Sequence, residues 1–291
     1  MAAPEIDLRD GHVLVGVDGM SDPEQMFLAA CVEADRLHAR LSVVTVVPGA
    51  GDDRQPPLEH LRHAVAGSPA LRGRPVGIFC WSEDDVRAGT GPLREARLVV
   101  LGSRGRYDRM PLGLTSLGRV LLKAAASPVL FVPERPTAPG PDAGRRTRPP
   151  VVLACVGEHP DDAGVVHAAA AEAHQRGWPL HVVHAHPTHA ASADADVARA
   201  WCELTATIAT AAALPDRTSF TLTRQTAATA LQEQLPDAGL LVVGARPAAV
   251  YGLVRDSISR TAIEQSPVPV LVVPRTSQQH HEIRLTDRTV S

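Results

Sequence analysis

Two short apolar stretches that end in glycine recur about half a chain apart. Residues 98–102 (LVVLG) and 240–244 (LLVVG) begin 142 positions apart in a chain of 291 residues. Residues 128–133 and 269–274, which both begin and end with proline, are 141 positions apart. Because two landmarks keep one spacing to within a residue, the sequence predicts a tandem duplication in which both halves share one fold.

Apolar runs alternate with longer runs of helical periodicity in both halves. Runs of four or five apolar residues bounded by glycine or proline are typical of buried parallel strands. The predicted strands are residues 12–18, 41–47, 75–81, 98–102, 129–132, 151–156, 180–186, 219–223, 240–244 and 269–273. The predicted helices are residues 22–40, 58–66 (short), 85–96 (weak), 115–125, 161–176, 194–213, 226–235 and 256–265. This alternation predicts the α/β class, with two tandem Rossmann-like domains, each a five-stranded parallel sheet flanked by helices.

Composition divides the chain and limits its partners. Residues 136–148, within a proline-rich stretch, predict a linker between domains at 10–135 and 149–275, and residues 276–291 form a polar tail. The formal net charge of -3 argues against a nucleic-acid partner. The sequence contains no run of about 18 apolar residues, the length that a membrane span needs. Its four cysteines form no CxxC pair. We therefore expect a cytoplasmic protein with reduced thiols and no membrane partner.

A glycine-punctuated segment follows the strand at 98–102. Gly102, Gly105 and Gly113 are followed by Thr115 and Ser116 at the start of a predicted helix. Glycine lets a backbone approach an anion, and the free N–H groups of a helix start attract it. The segment therefore predicts a phosphate cradle.

A second segment is predicted to meet this cradle. Gly16, Val17 and Asp18 end the first strand, and ligands of parallel sheets bind at the carboxyl ends of strands near a reversal of strand order. Arg104 is positioned to donate to a phosphate, although a solvated surface position is an equal alternative.

The sequence resembles the universal stress protein family in a tandem two-domain form. The resemblance rests on residues 15–19 (VGVDG), the glycine segment, and the closing strands 127–133 (SPVLFVP) and 268–274 (VPVLVVP). It implies a Rossmann-like fold of the adenine nucleotide alpha hydrolase-like type. It also implies that domains pair through their last strands, either as an internal pseudo-dimer or between two chains as a homodimer.

The ATP-binding branch of that family implies roles for residues of the first half. Asp18 would contact the base, with Val46 lining it. Gly102 and Gly105 would approach the ribose and phosphates, and Gly113, Thr115 and Ser116 would cap the phosphates. The resemblance implies no metal other than Mg²⁺ accompanying the nucleotide.

Several departures from the family pattern oppose nucleotide binding. Seven residues separate Gly105 from Gly113 where the family has nine, and Leu114 replaces the hydroxyl residue expected next. In the second half, Val156 stands in the place of the acid. Pro247 and Asp256 stand in the places of two glycines. We expect no nucleotide there, since proline offers no N–H and a carboxylate repels phosphate.

The sequence is compatible with two hypotheses about function. The first is a non-enzymatic stress-response protein that binds ATP or another adenine nucleotide in domain 1 only, beside an unknown protein partner. The alternative is a nucleotide-independent interaction protein in which both sites are vestigial. No assembled catalytic group is found, and the histidines are expected to be structural rather than metal ligands: His181, His184, His186 and His189.

Overall fold

The fold is seen in a computed structural model of the chain. The structure describes residues 11–18, 23–49, 53–88, 93, 96–103, 121, 127–133, 149–156, 162–185, 199, 201–207, 217–223, 225–245, 262–263 and 265–274. The strands, helices and contacts named below lie within these residues.

Ten strands form one sheet. They are β1 (His12–Gly16), β2 (Arg40–Val47), β3 (Val76–Ser82), β4 (Ala96–Gly102), β5 (Val129–Val132), β6 (Val151–Val156), β7 (Leu180–Ala185), β8 (Thr218–Thr223), β9 (Ala238–Gly244) and β10 (Val270–Val273). Their order across the sheet is β3-β2-β1-β4-β5-β10-β9-β6-β7-β8. Every pair is parallel except β5 with β10. The α/β prediction is confirmed, and the two five-stranded parallel halves are joined into one sheet.

The last strands of the two halves pair with each other. Val270 lies opposite Phe131, Leu271 opposite Leu130, and Val272 opposite Val129, in antiparallel register. This is the pairing that the sequence resemblance implies. The side chains of these two strands are almost entirely buried, because helices cover both faces of the sheet.

The two halves share local irregularities of the backbone. A register shift follows His12 where β1 pairs with β4, and the same shift follows Val151 where β6 pairs with β9. The first helix of each half ends with a left-handed residue, His38 with φ of 48° and Gly177 with φ of +65°. Such details repeat only where two segments share one backbone path.

The helices cover the sheet and create two cores. They are α1 (Glu24–Leu37), α2 (Gln55–Gly67), α3 (Glu83–Arg87), α4 (Asp162–Arg176) and α5 (Ala227–Gln234), followed by a 3-10 turn at Leu235–Asp237. The first core lies on the face covered by α1, α2 and α4. The second core lies on the opposite face and includes apolar side chains of α3 and α5. Both cores contain strands of both halves, so burial is shared across the junction.

Two predicted helices differ from the structure. The helix expected over residues 58–66 is α2, which begins three residues earlier because Pro56 and Pro57 occupy its first turn, where proline is tolerated. The weak helix expected over 85–96 begins earlier, as α3, and Ala96 belongs to β4, whereas residues 89–92 and 94–95 lie outside the described residues. Ser82 starts α3 with a capping box, since its hydroxyl accepts from the Asp85 N–H at 3.1 Å and its own N–H donates to the Asp85 carboxylate at 2.8 Å.

A ring of four charged side chains joins α1 to α4 across the two halves. Arg176 donates to Glu33 at 2.5 Å and to Glu172 at 2.9 Å. Arg36 donates to the same two carboxylates, at 2.8 Å to Glu33 and 3.0 Å to Glu172, and also to Gln175. Burial alone would lower the pKa of Arg176, but the carboxylates of Glu33 and Glu172 outweigh it and raise that pKa. We call these four charged residues the junction ring.

Candidate functional site

The candidate site lies where the strand order of the first half reverses. β1 pairs with β2 on one side and with β4 on the other, although β4 follows β1 by about eighty residues. Val15 of β1 lies opposite Val43 and Val100. The carboxyl ends of β1 and β4 are therefore neighbours, as ligand sites of parallel sheets require.

The backbone after each of these strands continues in extended form for one residue. The N–H of Val17 donates to the carbonyl of Val44 at 2.8 Å, and the N–H of Ser103 donates to the carbonyl of Val132 at 2.9 Å. Val17 and Ser103 are buried, whereas Asp18 and Gly102 are half-buried. Polar backbone at this edge is thus held by the sheet up to the point where the loops begin.

Alternation along β1 assigns its last residues to different faces. Val13, Val15 and Val17 belong to the first core, so Gly16 and Asp18 face the second core. Val46 of β2 packs on that second face and is half-buried. Gly16 is buried, whereas Asp18 and Val46 are half-buried neighbours on this face at the carboxyl end of the sheet.

The structure brings together half of the residues that the sequence analysis selected. Gly16, Val17, Asp18, Val46 and Gly102 lie at one edge of the sheet, on three adjacent strands. The other selected residues lie outside the part of the chain that the structure describes: Arg104, Gly105, Gly113, Thr115 and Ser116.

Sequence reasoning missed an aromatic pair beside Val46. Trp81 lies opposite Val46 in the register of β2 and β3, and Phe79 lies opposite Val44. Both aromatic side chains pack against the second core and are half-buried. Their ring centroids are 6.0 Å apart at an interplanar angle of 36°. The signal in the sequence was Phe-Cys-Trp at the end of an edge strand, where two aromatic residues two apart share a face.

An ion pair lies at the same edge beyond β3. The Arg54 guanidinium donates to the Asp85 carboxylate at 2.9 Å, and it is 3.5 Å from the carbonyl of Cys80. The Ser82 backbone N–H, with smaller effects of the Ser82 hydroxyl and Arg54, lowers the pKa of Asp85. This pair ties the start of α2 to α3.

The model of the Universal stress protein family matches residues 150–274. That match covers the second half of the chain. A crystal structure of a universal stress protein from Archaeoglobus fulgidus DSM 4304 is similar to the whole chain. Its TM-score is 0.63 at 16% identity, and the likeness covers 93% of this chain and 98% of that one. A candidate universal stress protein from Pseudomonas aeruginosa UCBPP-PA14 has a TM-score of 0.53 at 16% identity, covering 92% and 94%.

Universal stress proteins of single-domain length give weaker likenesses. One in complex with cAMP has a TM-score of 0.35 at 22% identity, covering 43% of this chain and 98% of its own. No curated protein matches the sequence. The two longer structures show that both halves of the chain have the universal stress protein fold.

The second half, which the family model matches, lacks the features of the first site. Registers equate Val46 with Ala185 and Trp81 with Thr223. They also equate Val17 with Val156, so the placement of Val156 at the position of Asp18 is wrong by one residue. The next residue in the sequence, Gly157, is not acidic either.

The glycine that ends β9 has a packing role in this domain. A Cβ on Gly244 would lie 3.0 Å from Cγ2 of Val165 and 3.6 Å from Oδ1 of Asp162. Gly244 therefore lets α4 approach the strand end. The corresponding Gly102 ends β4 in the first half, and there the same helix packing is an alternative to a ligand role.

The histidines of β7 lie against polar groups of neighbouring elements, whereas His186 and His189 lie outside the described residues. The ring of His181 is 2.7 Å from the Ser219 hydroxyl and 3.2 Å from the Thr221 hydroxyl, and burial lowers its pKa. The ring of His184 lies 3.7 Å from the sulfur of Cys202. Within the described ranges no three His, Cys, Asp or Glu side chains are grouped to hold a metal. Nor is any helix in those ranges long and apolar enough to cross a membrane.

Proposed function

We propose that the chain is a tandem universal stress protein, with domains at 10–135 and 149–275, that binds an adenine nucleotide in its first domain. ATP, with Mg²⁺ accompanying it, is the proposed ligand. The second domain is a nucleotide-free partner, and the protein acts in a stress response without catalysing a reaction.

The observation that supports this proposal is the position of Asp18. It follows β1 at the reversal of strand order, beside Gly102 and on the same face as Val46. A carboxylate there suits the base end of a nucleotide, because it accepts hydrogen bonds from an exocyclic amine and would repel phosphates. The phosphates would extend toward the glycine segment after β4.

The neighbours of Asp18 also suit a flat, partly apolar group. Val46 provides a half-buried apolar side chain on the same face. A nucleotide base is bound in most proteins by such a combination of apolar walls and few polar groups.

Two measurements test this function. Nucleotide released from purified, acid-denatured protein is identified by mass spectrometry, and ATP binding is then titrated calorimetrically. We expect adenine nucleotide at up to one per chain. Asp18→Ala should lower ATP affinity about 10- to 150-fold, because a hydrogen bond to a charged group is lost. Asp35→Ala, which removes an exposed carboxylate on α1, is the matched control and should leave affinity unchanged.

The absence of released nucleotide and of binding heat at millimolar ATP would contradict the proposal. That result would favour the second candidate, a nucleotide-independent interaction protein, which the shortened spacing between Gly105 and Gly113 supports.

A further inference from the structure

One feature of the first half has no counterpart in the second. Trp81 and Phe79 stand on the second face at the carboxyl end of β3, and the registers place Thr223 and Thr221 at the equivalent positions of β8. Two aromatic side chains therefore accompany only the half that retains Asp18.

The position of Trp81 relative to Asp18 is set by the sheet. Trp81 lies opposite Val46, and β2 separates β3 from β1. Adjacent strands are about 4.8 Å apart, so the Trp81 and Asp18 backbones are about 10 Å apart. This spacing leaves room above Val46 for one base with a face against the indole.

The indole is held in place rather than free. Phe79, at a centroid distance of 6.0 Å, packs against the same core and supports the Trp81 ring from the amino-terminal side of the strand. A half-buried, supported aromatic ring is the type of surface on which bases stack at low entropic cost.

We propose that Trp81 is the base-selecting residue of the first-domain site, and that it favours purine over pyrimidine nucleotides by stacking on the base. This inference rests on the proposed nucleotide function and adds to it the residue that discriminates between bases. Stacking area grows with the size of the base, whereas contacts to the phosphates do not depend on it.

The test compares ATP and UTP binding to the full chain by calorimetry. Wild type should bind ATP more tightly than UTP. Trp81→Ala should weaken ATP binding about 5- to 150-fold and UTP binding much less, which removes the preference. Trp201→Ala, at a half-buried tryptophan of the second half, is the matched control and should keep it.

A second readout keeps the test decisive if Trp81→Ala folds poorly. Trp81→Phe retains an aromatic side chain, and circular dichroism verifies its fold. ATP should quench the intrinsic fluorescence of wild type and of Trp201→Phe, but not that of Trp81→Phe.

Failure of the Trp81 proposal can be distinguished from failure of the proposed function. Wild type that binds ATP, with an unchanged base preference in Trp81→Ala or persistent quenching in Trp81→Phe, overturns the role of Trp81 alone. Wild type that binds neither nucleotide overturns the proposed function and this inference together.

Discussion

The junction ring makes a quantitative prediction about how the two halves hold together. The substitution is Glu33→Gln, which keeps the size and an acceptor oxygen but removes the negative charge. Glu33 is 5% exposed, and it accepts from both arginines of the ring. Its loss leaves two guanidinium groups, each about 15% exposed, sharing the single carboxylate of Glu172.

The expected cost follows from burial. Removing one partner of a buried ion pair costs about 3–5 kcal/mol, because the remaining charge stays desolvated. The partial exposure of the arginines places this ring at the lower end, about 3 kcal/mol. At about 2–4 °C per kcal/mol, the midpoint of thermal unfolding should fall by about 6–12 °C.

The assay is urea unfolding followed by circular dichroism, with Asp35→Asn as the matched control. Asp35 lies two residues away on the same helix and pairs with Arg74, but its side chain is 62% exposed. Exposed pairs contribute about 0–1 kcal/mol, so the control should scarcely move. Added salt should weaken the contribution of Asp35 more than that of Glu33, since buried pairs are screened less.

Equal effects of the two substitutions would refute the reasoning. A cost below about 1 kcal/mol for Glu33→Gln would mean that the ring is as well solvated as a surface pair. A cost near 3 kcal/mol that added salt scarcely changes would support burial as its cause.

Two further predictions concern packing and pH. Gly239→Ala should destabilise the folded protein by about 1–3 kcal/mol, because the new Cβ would lie 2.7 Å from Pro150 and Trp178. Gly164→Ala in α4 should stabilise it by about 0.5–1 kcal/mol, because nothing lies within 4 Å of the new Cβ. The native pKa of Asp85 lies below its ordinary 3.8, so its stabilising effect is present above that pH and is lost as the pH falls through the native pKa. Urea midpoints of wild type and Asp85→Asn should therefore converge between about pH 5 and about pH 2.

The strands were predictable because short apolar runs have little alternative to burial in a parallel sheet. Even the pairing of Val129–Val132 with Val270–Val273 follows from a family resemblance. Helix limits were less predictable, since capping by Ser82 and the prolines of α2 depend on single residues.

The candidate site was predictable only in part. Asp18 and Gly102 were found because strand ends converge at a reversal of strand order. Trp81 was missed, since an aromatic residue in a strand reads as core until its register with Val46 is known. The junction ring could not be foreseen, because Glu33 and Glu172 meet only after two distant helices pack together.

The antiparallel pairing of β5 with β10 makes the two long edges of the sheet different. All strands of the first half run opposite to those of the second, so their carboxyl edges face away from each other across the sheet. A ligand beside Asp18 and one beside Gly244 would therefore lie at opposite edges of the sheet. The shared cores and the junction ring connect the two halves between these edges.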